Sequence, residues 1–277
     1  MKTIKTYPKI TVVTPNYNQA DFIETTIQSV LNQKYPNLEY LIIDGGSTDG
    51  SVAIIEKYKK ELAFWSSEPD FGMYHAINKG FSKATGDIMC WINSDDVLWE
   101  NSLFNVAKLF SENPKMNWLQ GYPSVINENG TVIYKREQVY SKYYFYFRLH
   151  EVSFKFIQQE STFWTKELWD KTGAYLDTDY KLAADFDLWM RFFNYEKVYC
   201  TQLQLGAFRK RKGQMSSNQK SYIAETKTSI NRNFIKLNLL DKFILKLYEL
   251  LKLLKMPFIK RLKTKLQTKL IGQPIRV

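Results

Sequence analysis

The sequence predicts an α/β fold: a mostly parallel central sheet flanked by helices, followed by a basic amphipathic helical extension. Three observations carry this. Over the first 112 residues, short and nearly uninterrupted apolar runs alternate four times with helix-periodic segments, the pattern of parallel strands covered on both faces. Polar clusters follow each apolar run, where open α/β sheets bind their ligands. Positive charge is confined to the last quarter. Residues 1–208 hold 21 Lys and Arg against 25 Asp and Glu, a balance of −4, whereas residues 209–277 hold 18 against 3, or +15.

The elements follow in order. KITVVTPNYN (9–18) reads as a strand leading into a helix over 21–33, and EYLIIDGGS (39–47) as a strand leading into a helix over 50–60. AFWSSE (63–68) precedes a helix over 74–84, and DIMCWINSDD (87–96) one over 100–110. Residues 116–136 read as one or two further strands with ENG (128–130) as a turn, while the aromatic stretch 139–157 receives no element. ESTFW (160–164) reads as a strand. A short helix follows over 165–173, with Thr165 as N-cap and Gly173 past its end, and another over 183–195 opens with Asp185 and Asp187. From about 231 to 270 the chain reads as basic helix. Leu240, Phe243, Ile244, Leu247, Leu251, Leu254 and Phe258 form an apolar stripe, with a break expected at Met256–Pro257. The division is a main body over 1–208, in halves of about 8–112 and 113–208, and an extension over 209–277.

Several classes are excluded by composition. Two cysteines, Cys90 and Cys200, do not make a disulfide framework and fit a reducing compartment. MKTIKTYPK carries no apolar segment after its lysines, and no run reaches about 18 uncharged apolar residues, so neither a secretory signal nor a membrane span is expected. The net-acidic body lacks RNP, zinc-finger and helix-turn-helix signatures, which argues against nucleic acid as a partner. The basic extension suits either a membrane surface or a helix packed on the body or in a homodimer.

The chemistry-bearing residues lie at the strand ends. INSDD (92–96) places Asp95 and Asp96 after a buried strand; such a pair needs a cation, hydrogen-bond donors or solvent, and a hard divalent ion such as Mg²⁺ or Mn²⁺ meets that need. Helix capping is the plainer alternative. In DGGSTDGS (44–51), Asp44 suits a base or ribose and Gly45 and Gly46 permit close backbone approach, although Ser47 or Asp49 capping a helix explains the segment equally. SEPDFGMYHAINKG (67–80) adds Asp70 in a loop and Asn78 and Lys79 on a helix; the lysine either offsets diphosphate charge or is simply solvated. His75 has no second histidine at metal-ligand spacing and is read as structural or surface. In AADFDLWMRF (183–192), Asp185 suits a general base, while the helix dipole alone accounts for one of its two aspartates.

Taken together, TVVTPNYNQ (11–19), LIIDGGSTDGS (41–51), SEPDFGMYHAINKG (67–80), ATGDIMCWINSDD (84–96), QESTFW (159–164) and AADFDLWMRF (183–192) resemble the inverting glycosyltransferase family 2, and among its members those that build bacterial surface polysaccharides. The resemblance spans about residues 8–195. It implies the GT-A fold and a nucleotide-sugar donor, UDP by the family's habit, with a glycan or lipid-linked acceptor. It implies that Thr14, Pro15, Tyr17 and Asp44 hold the nucleoside, that Asp70 lies near base and ribose, and that Asn78 and Lys79 belong to the donor site. Asp95 would face the ribose, Asp96 would ligate a divalent metal (Mn²⁺ or Mg²⁺), and Asp185 would be the catalytic base. Ala184 stands where the family's Glu-Asp pair has its first carboxylate, His75 where an aspartate is common, and Arg211 where an Arg-x-His pattern has its histidine. A cytoplasmic protein, peripheral on the inner face of the membrane, is the implied setting, and a nucleotide-sugar-binding module without activity is the rival reading.

Overall fold

The structure, a computed structural model, describes residues 7–214, 218–253 and 257–277, and of 252–253 and 257–261 only the backbone. The first half runs β1 (Ile10–Asn16), α1 (Ala20–Leu31), β2 (Leu38–Asp44), α2 (Ser51–Lys57), β3 (Phe64–Ser67), α3 (Met73–Phe81), β4 (Ile88–Trp91), β5 (Val97–Leu98) and α4 (Ser102–Glu112). It continues with β6 (Trp118–Gln120), β7 (Ser124–Ile126), β8 (Val132–Lys135), α5 (Lys142–Tyr146), α6 (His150–Ser153), a 3-10 turn at Gln159–Ser161, β9 (Thr162–Thr165) and α7 (Lys166–Lys171). The remainder is α8 (Ala184–Phe192), β10 (Tyr199–Cys200), β11 (Gly206–Arg209), α9 (Gln219–Ile235), α10 (Leu239–Leu253), α11 (Pro257–Ile271) and β12 (Ile275–Arg276).

The eight-stranded sheet has the order β12-β10-β6-β9-β4-β1-β2-β3. β1 runs parallel to β2 and β4, and β2 parallel to β3, because each connection carries a crossover helix. β9 enters antiparallel between β4 and β6. The register sets Asn16 beside Asp44 and Asp44 beside Ser67, so the polar strand ends finish on one rim. A second sheet, β5-β11-β7-β8, carries residues 206–209 alongside that rim.

One aromatic core joins the two halves. Trp189 of α8 stacks on Trp91 of β4 at 5.9 Å and 9°, and on Trp118 of β6 at 5.6 Å and 22°, with Trp164 of β9 edge-on to both Trp91 and Trp189. Helix α8 is also pinned by charge: buried Arg191 bonds Asp187 at 2.8 Å and reaches the carbonyls of Thr172 and Tyr175, both at 2.7 Å. Asp187 is thus the structural aspartate of the pair at 185 and 187. Gly206 of β11 allows the two sheets to meet, since a Cβ there would run into the carbonyl oxygen of Glu160. Gly206→Ala is expected to cost about 3 kcal/mol in urea unfolding; stability equal to the parent would mean that β11 does not sit this close to the turn.

Differences from the sequence reading have physical causes. Residues 116–136 form three strands, not one or two, each too short to show periodicity. Segment 139–157 holds α5 and α6, the 3-10 turn takes residues 159–161 so that β9 starts at Thr162, and helix begins at Gln219 instead of about 231. A boundary at 208/209 would fall inside β11. Thr165 does cap α7, accepting from Leu168 N at 3.3 Å. In α10 the inward residues are Asp241, Leu245, Tyr248 and Leu251, while Leu240, Phe243 and Leu247 of the expected stripe are exposed. Asp241 turns inward because Lys142 and Tyr143 both bond its carboxylate. Leu254 and Met256 lie outside the described residues, as does the side chain of Phe258.

Candidate active site

Each strand end contributes to the rim in its own way. At the end of β2, Asp44 is fully buried and accepts from Asn16 Nδ2 at 2.6 Å, Ser47 Oγ at 2.5 Å, Ser67 Oγ at 2.6 Å and Ser47 N at 2.9 Å. Burial pushes its carboxyl up, but these donors outweigh burial and hold it below the usual aspartate range. Asp44 therefore stays ionised and fixes the 45–47 turn. Asp70 lies directly over that turn: a Cβ on Gly45 would stand 3.0 Å from its Oδ2, so a side chain at 45 would displace it. Asp49 bonds Ala20 N at 2.8 Å and Ser51 N at 3.0 Å, tying the starts of α1 and α2 together.

The β4 end is the most acidic part. Asp96 is completely buried, and its carboxyl is pushed well up by burial first, then by Asp95 and Glu160. Its Oδ1 accepts from Arg209 N at 2.8 Å and its Oδ2 from Asn93 Nδ2 at 3.2 Å. Asp95 Oδ2 accepts from Arg211 Nε at 2.7 Å and Gln214 Nε2 at 3.2 Å, and its main-chain oxygen from Arg209 Nε at 2.6 Å. The arginine that replaces the family's histidine thus sits on the acidic pair.

Glu160 links this pair to α8. Burial raises its carboxyl to about 7, opposed by Arg136, with Asp185 and Asp95 both near enough to raise it further. Asp185 is itself pushed up to about 7, chiefly by burial, while the Tyr222 hydroxyl works against that from 3.3 Å to each carboxylate oxygen. Tyr222 comes from α9, which is locked to the α8 approach by Glu225; its carboxylate accepts from the main-chain N–H groups of Lys181, Leu182 and Ala183 at 3.1, 2.9 and 2.8 Å. Tyr74 of α3 bonds Leu182 O at 2.6 Å from the other side.

The structure therefore brings Asp95, Asp96 and Asp185 to one region and Asp44 and Asp70 to the neighbouring strand end. Other expected residues sit differently. Thr14 is buried with its hydroxyl 3.0 Å from Tyr40 Oη, and Pro15 is buried too, leaving Tyr17 as the open member of that group at 62% exposure. Asn78 holds both main-chain groups of Leu176, at 2.8 and 2.7 Å, and so shapes the loop before α8. Lys79 pairs with Glu68 and bonds Ser66 Oγ at 2.9 Å beside the end of β3. Sequence reasoning does not single out Glu160, Tyr222, Gln214 or Glu225 as site residues. Glu160 stands within QESTFW, but nothing local marks a residue whose role depends on a contact with α9.

The central sheet flanked by helices, with Asp95, Asp96 and the half-buried Asp185 near its carboxyl rim, has the GT-A fold. The structure of Staphylococcus aureus TarS 1–349 in complex with UDP-GlcNAc is similar over 86% of this chain and 70% of that one, with a TM-score of 0.66 and 18% identity. The Pyrobaculum calidifontis mannosyltransferase PcManGT, in complex with GDP-Man and Mn²⁺, is similar over 96% of this chain and 86% of that one, with a TM-score of 0.57 and 17% identity. Residues 11–173 match the family profile described as Glycosyl transferase family 2, and the chain belongs to that family.

Its relatives include an uncharacterized glycosyltransferase of Mycobacterium tuberculosis, 39% identical over 90 residues, which is 32% of this chain and 34% of the relative. One of Rickettsia prowazekii is 26% identical over 69% of this chain and 61% of the relative. The poly-beta-1,6-N-acetyl-D-glucosamine synthase of Staphylococcus epidermidis is 30% identical over 41% of this chain and 28% of the synthase. The matches thus span from under a third to under two thirds of these relatives' lengths.

Proposed function

We propose that this glycosyltransferase is metal-dependent and inverting, moving a hexosyl group from a nucleoside-diphosphate sugar, UDP-linked in the first instance, to a hydroxyl of a glycan or lipid-linked saccharide in bacterial surface polysaccharide synthesis. The observation that carries the reading is the meeting of Asp95, Asp96, Glu160 and Asp185 beside the strand end that holds Asp44 and Asp70. The TarS and PcManGT complexes, with UDP-GlcNAc and with GDP-Man and Mn²⁺, support a nucleotide-sugar donor.

The donor set suits a hard divalent ion. Among the described residues no three acidic, histidine or cysteine side chains form a complete metal cage. Two adjacent carboxylates with Asn93, whose buried Oδ1 has no protein partner, match an ion that draws its other ligands from diphosphate and water. Asp96 would be the ligand, with Asp95 turned to the ribose, and such an ion would supply charge neutralisation for the departing diphosphate.

The protein's own groups account for the rest. Tyr17 is open to a base, Asp44 holds the turn that approaches the nucleoside, and Asp70 reaches over Gly45 toward the ribose. Arg211 is placed to exchange its contact with Asp95 for a phosphate oxygen. Asp185, with an affinity for protons near neutrality, takes the proton of the acceptor hydroxyl as that oxygen attacks the anomeric carbon from the side opposite the leaving group.

A thermal-shift screen of UDP, GDP and their sugars with and without Mn²⁺ tests the donor class: one nucleotide series with metal is expected to raise Tm, and no shift with any would sink the reading. Tyr222→Phe is expected to move the acidic limb of the kcat profile upward by roughly half a unit, because a donor to the ionised carboxylate is lost. An unmoved limb would place Tyr222 outside the proton-transfer step.

A further inference from the structure

The outer surface of α10 is apolar where a solvent-facing helix is ordinarily polar. Leu239, Leu240, Phe243, Leu247 and Leu250, with Ile235 at the end of α9, are between 37% and 86% exposed and follow the helical repeat along one side. The opposite side is fastened to the body: Asp241 to Lys142 and Tyr143, and Tyr248 to Phe147 at 4.0 Å between ring centroids. The apolar side is therefore not the packing side.

The charge around it is one-signed. Over α9 and α10, residues 219–253, seven Lys and Arg stand against three carboxylates, of which Glu225 caps residues 181–183 and Asp241 is buried, leaving Glu249 as the outward one among them. Lys236 and Lys246 are exposed on the same stretch. Pairing two copies across this face would set like charge against like, a balance of +4 (7 Lys and Arg against 3 Asp and Glu) over residues 219–253 of each, whereas an anionic surface matches both the charge and the apolar side chains.

We infer that the outward face of α9–α10, centred on Leu240 and Phe243, is a docking surface for an anionic lipid bilayer. The inference deepens the transferase reading, on which it rests for the acceptor only. Within α9 the stretch from Tyr222, at the carboxylate of Asp185, to Ile235 spans roughly 20 Å. Docking there holds the reaction centre within that distance of the lipid surface, which selects acceptors whose hydroxyl is carried on a membrane-anchored saccharide.

The test is flotation of the full chain with phosphatidylcholine vesicles containing about one-third phosphatidylglycerol, against phosphatidylcholine alone. The wild type is expected to float with the anionic vesicles and to be released by salt. Leu240→Glu with Phe243→Glu is expected to remain unbound, and Lys236→Gln and Lys246→Gln each to lower partition roughly fivefold. Unaltered far-UV circular dichroism and nucleotide binding would show that the double variant remains folded. A wild type that stays unbound, a double variant that still floats, or a wild-type dimer that the double variant converts to monomer would each overturn the inference. Flotation without binding of any nucleotide sugar would support the docking surface and condemn the transferase reading.

Discussion

Asp185→Asn is expected to lower kcat by about a thousandfold, within the range a general base contributes, while leaving donor affinity unchanged. Asparagine keeps the shape and can still meet the Tyr222 hydroxyl at the position of either oxygen. What it loses is the capacity to accept a proton. The wild-type kcat should rise with pH through about 7, since only the ionised carboxylate is competent.

The same burial makes a second, independent forecast. The folded-state proton affinity of Asp185 lies above that of an unfolded aspartate, so the folded chain holds the extra proton between about 4 and 7 and its stability falls as pH rises through that window. Asparagine removes this penalty, so Asp185→Asn should be more stable than the parent above pH 7, by at most about 4 kcal/mol, and should unfold at a higher temperature there. Near-normal turnover would remove Asp185 as the base; a loss of Tm would mean that its charge is compensated by a partner.

Asp96→Asn is expected to act on the donor. Removing one charge from a buried pair weakens the hold on a divalent ion, and nucleotide-sugar affinity with Mn²⁺ should fall by roughly a hundredfold. Calorimetric titration with and without a chelator decides it. Affinity for the wild type that ignores the chelator would sink the metal-dependent reading, leaving Arg211 as the cation proposed for the diphosphate. The amide oxygen of the substituted side chain would still accept from Arg209 N, so the fold should survive.

The parts legible from sequence are those written locally. The apolar runs ending at Asn16, Asp44 and Trp91 form the inner parallel strands, because strands buried on both faces need unbroken hydrophobicity, while FWSS forms the half-buried edge strand β3. The carboxylates at 44, 95 and 96 stand out because a charge at the end of such a run is costly without a reason, and Asp185 because it opens an apolar helix. Glu160 and Tyr222 do not, since each acquires its neighbour across a long stretch of chain. The apolar stripe of α10 is legible in the sequence, but which side of the helix packs on the body is not. The helix is apolar on most sides, and Asp241 is held inward by Lys142 and Tyr143 from a segment with no readable element.

The indole stack has a mechanical corollary. Trp91 closes the strand that leads to Asp95 and Asp96, and Trp189 sits one turn beyond Asp185, so both acidic ends of the candidate site hang from the same slab. Leverage on one is transmitted to the other, and neither can swing alone. A shift of either end would have to unstack Trp189 from Trp91, so the separation of the two acidic ends is set by the packing of the core.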